Sequence, residues 1–438
     1  MEYFEIIGGK KLKGEVIVNG SKNAAVALLI GALINKGKTT LRNVPQIEEV
    51  NRLVEVLKSI GVAVEINSLR KEIEIVPPKK ISINKIDRVA AEKTRSIILM
   101  VGALAGKLKK YVVPQAGGCR LGSRTVKPHL FALENFGVKI KTGARGFAVS
   151  AKNLKPAKKI VLYESGDTTT ENVLLAAAQI FGKTTIRLAS ANYMVQDLCF
   201  FLEKLGVKIK GTGTMTLEVE GKEEIKRNVI YEISEDPIEA MFFLSIAAVT
   251  GSSLLVKRCP IEFLDLELLK LAKMGFKYRI VREYLAHNGR TKLVDIQTYS
   301  SIFRALEEKI HPATPSSAGI NIDNLPFFVP VATKARGKTL IHDWVYENRA
   351  GYFAELNKLG AKIKLIDPFR VFVEGPSNLK GAKILCPPAL RPAAIILVAM
   401  LAARGKSILE NVYAINRGYE NLEGRLRKLG ANIKLVKK

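Results

Sequence analysis

The stretch LEKLGVKIK at residues 202–210 decides the fold, because the same phrase returns along the whole chain. It reads LKSIGVAVEI at 57–66, LENFGVKIK at 133–141, LAKMGFKYRI at 271–280, LNKLGAKIKL at 356–365 and LRKLGANIKL at 426–435. Its glycines, Gly61, Gly137, Gly206, Gly275, Gly360 and Gly430, follow one another at intervals of 76, 69, 69, 85 and 70 residues. In a chain of 438 residues that spacing is six copies of one unit. Each phrase reads as a helix end, a glycine cap and the start of a strand.

A second phrase lies 23 to 31 residues ahead of each of these glycines: an apolar run, a glycine usually followed by lysine, then a β-rich stretch. Examples are GALINKGKTTLRNVP at 31–45, AAAQIFGKTTIRLAS at 176–190 and LAARGKSILENVY at 401–413. Each unit therefore reads as apolar helix, glycine cap, strand, second helix, glycine cap, strand. The second helix of the first unit carries Val50, Leu53, Val54, Leu57 and Ile60 as one apolar stripe. The first helices (AAVALLIGALI, IILMVGALA, VLLAAAQIF, AMFFLSIAA, FFVPVAT and AAIILVAMLAA) are apolar nearly all round, which predicts burial on every side. No capping unit is visible, so two halves of three units are expected instead of one solenoid. The polar stretch 222–236 is the natural connection between them, and the segment 3–18 has a place in either half.

Composition bounds the function. Hydrophobic residues make up 47% and charged residues 25%, which places the chain among globular proteins and excludes a disordered one. Sixty-nine Lys and Arg against 41 Asp and Glu give +28, the balance of a protein with an anionic partner. The basic residues are spread over all six units with no zinc pattern or aromatic RNA-binding motif, so nucleic-acid binding is not expected. Cys119, Cys199, Cys259 and Cys386 are too far apart for a short metal-ligand spacing and too few for a disulfide framework, which predicts a reducing compartment and no metal. The apolar runs are about half the roughly 20 residues that span a bilayer, so no membrane segment is expected.

Several residues carry chemistry beside a blander reading. Ser21-Lys22-Asn23 precedes a buried helix, where a cap, free N–H groups and a lysine make either an anion site or a surface lysine beside a cap. Cys119 sits in QAGGCRLGSR, where Arg120 and Arg124 favour an accessible, acidic thiol, although a lone cysteine is often a core residue. Cys199, Cys259 and Cys386 have apolar neighbours and read as structural. Asp323, before NLP, is either a turn aspartate or a general base.

NGSKNAA (19–25), GGCRLGSR (117–124), TEN (170–172), VYENR (345–349), Asp323, Leu390-Arg391 and NRGYENLEGRLRKLGANI (416–433) together resemble the enolpyruvyl transferase family, and within it the UDP-N-acetylglucosamine 1-carboxyvinyltransferase branch. The shikimate-pathway branch shares the fold, but its Asn-Ala-Gly-Thr motif has no counterpart in EKTRSIILM (92–100). The resemblance runs from about Glu5 to Val436. It implies an α/β fold of two inside-out barrels, each of three βαβ-type repeats around buried helices. The domains would be 22–233, carrying the Cys119 lid, and 1–21 with 234–438, with the active site in the cleft between them.

The implied reaction transfers the enolpyruvyl group of phosphoenolpyruvate to the 3-hydroxyl of UDP-N-acetylglucosamine and releases phosphate. This is the first committed step of peptidoglycan precursor synthesis, performed by a cytoplasmic monomer without cofactor or metal. The family pattern makes Cys119 the proton donor and fosfomycin target, Asp323 the base, and Lys22 and Arg417 further catalytic groups. Lys22 and Asn23 would contact phosphoenolpyruvate, and Arg124, Arg391 and Arg417 would hold its anionic groups. Arg95, Thr125, Val126, Lys127, Glu164, Ser165, Gly166, Asp167 and Val345 would complete the substrate-binding set.

The chain also departs from the family pattern. Thr125 and Lys127 stand where Pro and Asp are usual, and Gly166-Asp167-Thr168-Thr169 where Ser-Val-Gly-Ala is usual. Ala389 replaces the aspartate of an Asp-Leu-Arg triplet, and Pro237 the arginine after Asp236. Asp323 lies in INIDNLP where Pro-Thr-Asp is usual. These changes keep two alternatives open, a paralogue with another acceptor and a catalytically dead ligand-binding homologue.

Overall fold

The computed structural model describes residues 2–115, 117, 125–313 and 319–437. Two compact units divide the chain, one within residues 20–234 and one formed by residues 2–19 with 235–437, and the chain passes between them after Asn19 and after Ser234. Each unit holds three sheets among the described residues.

The repeat is visible in the strand order. Gly182–Arg187 follows a buried helix and Lys208–Lys210 follows the next helix, and between them lies Thr216–Gly221, antiparallel to both. Thr39–Arg42, Glu72–Val76 and Ala63–Asn67 repeat the arrangement, as do Ser253–Pro260, Lys292–Tyr299 and Lys277–Leu285. Each repeat is thus a split βαβ unit with three strands, one more than the two read from the sequence. The middle strand is a hairpin return whose sequence varies between repeats. In the sixth repeat the chain ends at the outer strand Asn432–Lys437, and Glu2–Gly8 takes the middle place between it and Gly405–Glu410.

The two crossing segments also form strands. Val229–Glu232, inside the polar stretch read as a connection, pairs in parallel with Thr39–Arg42, and Lys13–Ile17 pairs in parallel with Ser253–Pro260.

The six phrase glycines all have positive φ, between 86° and 104°, a conformation that disfavours any side chain with a Cβ. The second set behaves differently. Gly251 caps the helix Pro237–Thr250 with φ 63°, whereas Gly182, Gly337 and Gly405 open strands and Gly37 and Gly106 have ordinary φ.

The apolar helices are buried all round: every residue from Pro237 to Val249 and from Leu390 to Leu401 is buried. Each large apolar side chain so enclosed stabilises the fold by about 1.5–3 kcal/mol. The helix Glu48–Ser59 instead buries the stripe Val50, Leu53, Val54 and Leu57 and exposes Asn51 and Glu55. Two expected helices are shortened. FFVPVAT becomes the 3₁₀ turn Leu325–Phe327 and the helix Phe328–Ala332, with Pro330 lacking an N–H to continue the ladder. IILMVGALA becomes the 3₁₀ helix Arg95–Leu99 and the short helix Met100–Ala103, because Asn172 intercepts their backbone groups. Its Oδ1 accepts from Gly102 N at 2.7 Å and its Nδ2 donates to Ile98 O at 3.1 Å. Among the described residues no helix is long and apolar enough to cross a membrane.

Candidate functional site

In the 20–234 unit, Ser21 caps the helix Lys22–Gly31, its Oγ accepting from Ala24 N at 3.1 Å. The cap sets Lys22 and Asn23 in the first turn, where backbone N–H groups and the helix dipole favour an anion. Asn23 Nδ2 donates to Tyr193 Oη at 3.0 Å. Lys22 Nζ stands 3.8 Å from Glu49 Oε2, and Glu49 Oε1 accepts from Thr94 Oγ1 at 2.8 Å. The buried Glu49 therefore ties Lys22 to the residue before Arg95. Sequence reading missed Glu49, and its signal was an acid flanking the apolar stripe of an otherwise ordinary helix.

Burial and the Arg95 charge push the His129 imidazole down to about 4, so it is neutral at pH 7. His129 Nδ1 lies 3.2 Å from Asn172 Nδ2, which makes the asparagine of TEN an organiser of three segments. Glu171 beside it is 2% exposed, and burial together with the Asp167 charge holds its carboxyl well above the usual range. Thr125 and Lys127 are exposed and Val126 is partly buried at the start of the helix Lys127–Glu134, where Thr125 Oγ1 accepts from Lys127 N at 3.2 Å.

Glu164 is exposed, and Ser165 and Gly166 lead into the helix Asp167–Ala177. Asp167 is turned onto the Ser190–Asn192 loop: Oδ1 accepts from Ser190 Oγ at 2.6 Å and Oδ2 from Asn192 Nδ2 at 3.2 Å. Cys119 and Arg124 lie outside the described residues.

In the 235–437 unit the structure brings together Asp323 and Arg391, 68 positions apart. Arg391 Nη2 donates to Asp323 Oδ2 at 3.1 Å, and Arg391 Nη1 donates to Tyr419 Oη at 3.3 Å. The Asp323 side chain is 23% exposed and that of Arg391 8%, so the carboxylate is open to a substrate while its cation is fixed from behind. Arg391 stands in the first turn of Leu390–Ala402. Ala389 occupies the N-cap position there with no side-chain bond, so the missing aspartate is both a lost carboxylate and a lost cap. Arg417 follows the helix Tyr413–Asn416 and sits two residues before Tyr419. Gly418 lets that turn press on Leu390, since an added Cβ would lie 2.3 Å from Leu390 Cδ2. Tyr419 is buried, and burial pushes its hydroxyl pKa up, so it stays a neutral partner for Arg391. Tyr419 was not singled out from the sequence, although it lies in the NRGYEN block. Val345 is 47% exposed.

The Asp323 loop is held by groups that sequence reading did not assign. Arg349 is wholly buried, pairs through Nε with the buried Asp343, and donates from Nη2 to Ile322 O at 2.8 Å. Glu267 Oε1 accepts from Asn321 N and Asn324 Nδ2, both at 2.9 Å. The site is therefore a partly exposed carboxylate on a clamped loop, bonded to a buried arginine. That arrangement can take a proton from a substrate hydroxyl and hold an anion nearby. Among the described residues no group of three or more His, Cys, Asp or Glu side chains is placed to hold a metal ion.

Residues 6–426 match the family model described as EPSP synthase (3-phosphoshikimate 1-carboxyvinyltransferase). The UDP-N-acetylglucosamine 1-carboxyvinyltransferase of Borreliella burgdorferi is 31% identical over 440 residues, covering 100% of each chain. The enzyme of the same name from Bradyrhizobium diazoefficiens is 33% identical, covering 98% of this chain and 97% of its own. Among solved structures, the enolpyruvyl transferase NikO from Streptomyces tendae superposes with a TM-score of 0.83 at 24% identity, covering 100% of this chain and 99% of its own, a likeness of fold. A match that spans nearly the whole chain, with full-length relatives above 30% identity, means that this chain belongs to the EPSP synthase (3-phosphoshikimate 1-carboxyvinyltransferase) family.

Proposed function

We propose that this chain transfers the enolpyruvyl group of phosphoenolpyruvate to the 3-hydroxyl of UDP-N-acetylglucosamine and releases phosphate, the first committed step of peptidoglycan precursor synthesis. The observation that carries the reading is the set of relatives with that activity in their name, matched along the full length of both chains. The partly exposed Asp323, bonded to Arg391, supports it from the side of the chemistry.

In this reading Asp323 takes the proton of the acceptor hydroxyl as its oxygen adds to C2, while Cys119 delivers a proton to C3. Elimination then removes a proton from C3 and expels phosphate from C2. Lys22, Arg124, Arg391 and Arg417 stabilise the negative charge carried through the tetrahedral intermediate. Asn23 adds an amide to the phosphoenolpyruvate side, and Arg95, residues 125–127, residues 164–167 and Val345 serve the nucleotide sugar. The chemistry is addition to a double bond followed by elimination of phosphate, with protons passed to and from protein groups, and calls for no cofactor. We read residues 22–233 and residues 1–21 with 234–438 as the two domains, each an inside-out α/β barrel, and the protein as a cytoplasmic monomer. Three sheets in each unit support the barrel reading, with the helices Pro237–Thr250 and Leu390–Ala402 almost wholly buried in one and the helix Lys22–Gly31 buried from Ala24 onward in the other.

Phosphate release from phosphoenolpyruvate, measured with and without UDP-N-acetylglucosamine, tests the function. Release is expected only with the nucleotide sugar present. Asp323→Asn is expected to lower kcat by about 10²-fold or more with little change in the KM for phosphoenolpyruvate. No release with both substrates, or near-normal turnover of Asp323→Asn, would remove the reaction or the base role respectively.

A further inference from the structure

Each residue of the loop that carries Asp323 is held by a specific bond. Asn321 N donates to Glu267 Oε1 at 2.9 Å, Ile322 O accepts from Arg349 Nη2 at 2.8 Å, and Asp323 N donates to Asn321 Oδ1 at 2.9 Å. The buried Asn324 returns to Glu267, its Nδ2 donating to the same Oε1 at 2.9 Å. One carboxylate oxygen thus fixes both ends of a four-residue loop whose third member points its own carboxylate at Arg391. Glu267 is 3% exposed and sits in the helix Asp265–Lys273, more than 50 positions from the loop.

We propose that Glu267 is the positioning residue for Asp323, an inference that rests on Asp323 being the base. Two N–H donors meeting at one oxygen need an acceptor and do not need a charge. Burial holds the Glu267 carboxyl above its usual range, and the bonds from Asn324 and Asn321 work against that rise. A glutamine offers the same oxygen in the same place, whereas an alanine takes the shared acceptor from both donors, the buried Asn324 amide among them, and lets the loop shift. A displacement on the order of 1 Å at a catalytic group costs about 10²-fold in rate.

The test is a double-mutant cycle read by phosphate release with saturating UDP-N-acetylglucosamine, on wild type, Glu267→Ala, Glu267→Gln, Asp323→Asn and Glu267→Ala/Asp323→Asn. Glu267→Ala is expected to lower kcat about 10- to 100-fold at a phosphoenolpyruvate KM within roughly threefold of wild type. Glu267→Gln is expected to restore kcat to within about threefold of wild type, and Glu267→Ala to cost less than about twofold once Asp323 is already asparagine. Equal losses in both backgrounds, equal damage from Gln and Ala, or wild-type turnover of Glu267→Ala would overturn the positioning role. Near-normal turnover of Asp323→Asn would instead overturn the base reading, and the positioning role with it. Should Glu267→Ala not fold by circular dichroism, Asn324→Ala removes one of the two bonds and carries the same comparison.

Discussion

Replacing Arg349 by methionine tests whether the Asp323 loop is supported by an ion pair as buried as it looks. Both partners are fully enclosed: the Arg349 and Asp343 side chains are each 0% exposed. Methionine fills similar volume without charge and leaves three things undone. Asp343 loses its cation, the Ile322 carbonyl loses a donor, and the guanidinium stacked 4.5 Å from the Tyr346 ring centroid is gone. Removing one member of a buried pair costs about 3–5 kcal/mol, because the other charge stays in a medium that solvates it poorly. With a urea m-value of roughly 2–3 kcal/mol/M, the midpoint should fall by about 1–2 M.

Trp344 is the only tryptophan in the chain and adjoins Asp343, so its fluorescence follows the unit in which the pair sits. The deficit should shrink as pH falls. Burial already raises the Asp343 carboxyl and Arg349 opposes that rise, so without Arg349 the acid is held higher still, and its protonated form restores neutrality. Asp343→Leu/Arg349→Met should recover most of the loss, since an apolar pair of similar volume does without both charges. A midpoint shift below about 0.3 M for Arg349→Met, or a double variant as unstable as the single one, would show that the pair does not brace this loop.

Limiting iodoacetamide on the folded protein should label Cys119 ahead of the other cysteines, as read by peptide mapping. Cys199, Cys259 and Cys386 are buried, and burial pushes the thiols of Cys199 and Cys386 up to about 12 and that of Cys259 well above its usual value. Labelling of any of these three first would contradict that protection, and failure of fosfomycin to inactivate the enzyme would count against Cys119 as proton donor. Asp197 should make the 20–234 unit less stable as pH rises. Burial pushes its carboxyl up to about 6 from 3.8, although Tyr231 and Ser234 donate to it. An acid whose folded pKa lies above its unfolded one keeps its full contribution below about pH 4 and loses it through pH 6, here roughly 3 kcal/mol. The difference in unfolding free energy between wild type and Asp197→Asn should therefore fall by that amount from pH 4 to 7, and a pH-independent difference would refute it.

The sequence by itself determined the repeat, the six glycine turns and the wholly buried helices. Each is written in local terms: a positive φ calls for glycine at Gly206 or Gly430 whatever surrounds it, and an unbroken apolar run such as 393–401 calls for burial on all sides. Lys22 could be named as a candidate because it stands at a helix start, whereas Asp323 reads as a turn aspartate until the family resemblance singles it out. Only the tertiary structure decided that Glu2–Gly8 fills the middle of the sixth sheet, more than 400 residues from its neighbour Asn432–Lys437. Only it joined Asp323 to Arg391 and set Glu267, Arg349 and Asn172 as the braces of loops and broken helices. Those pairings bridge segments far apart in the chain and depend on strand register and helix placement, so no local propensity or spacing marks them. A glutamate in a helix and an asparagine in TEN look the same whether they face water or hold a backbone group. What separates the two cases is which segment folds against them.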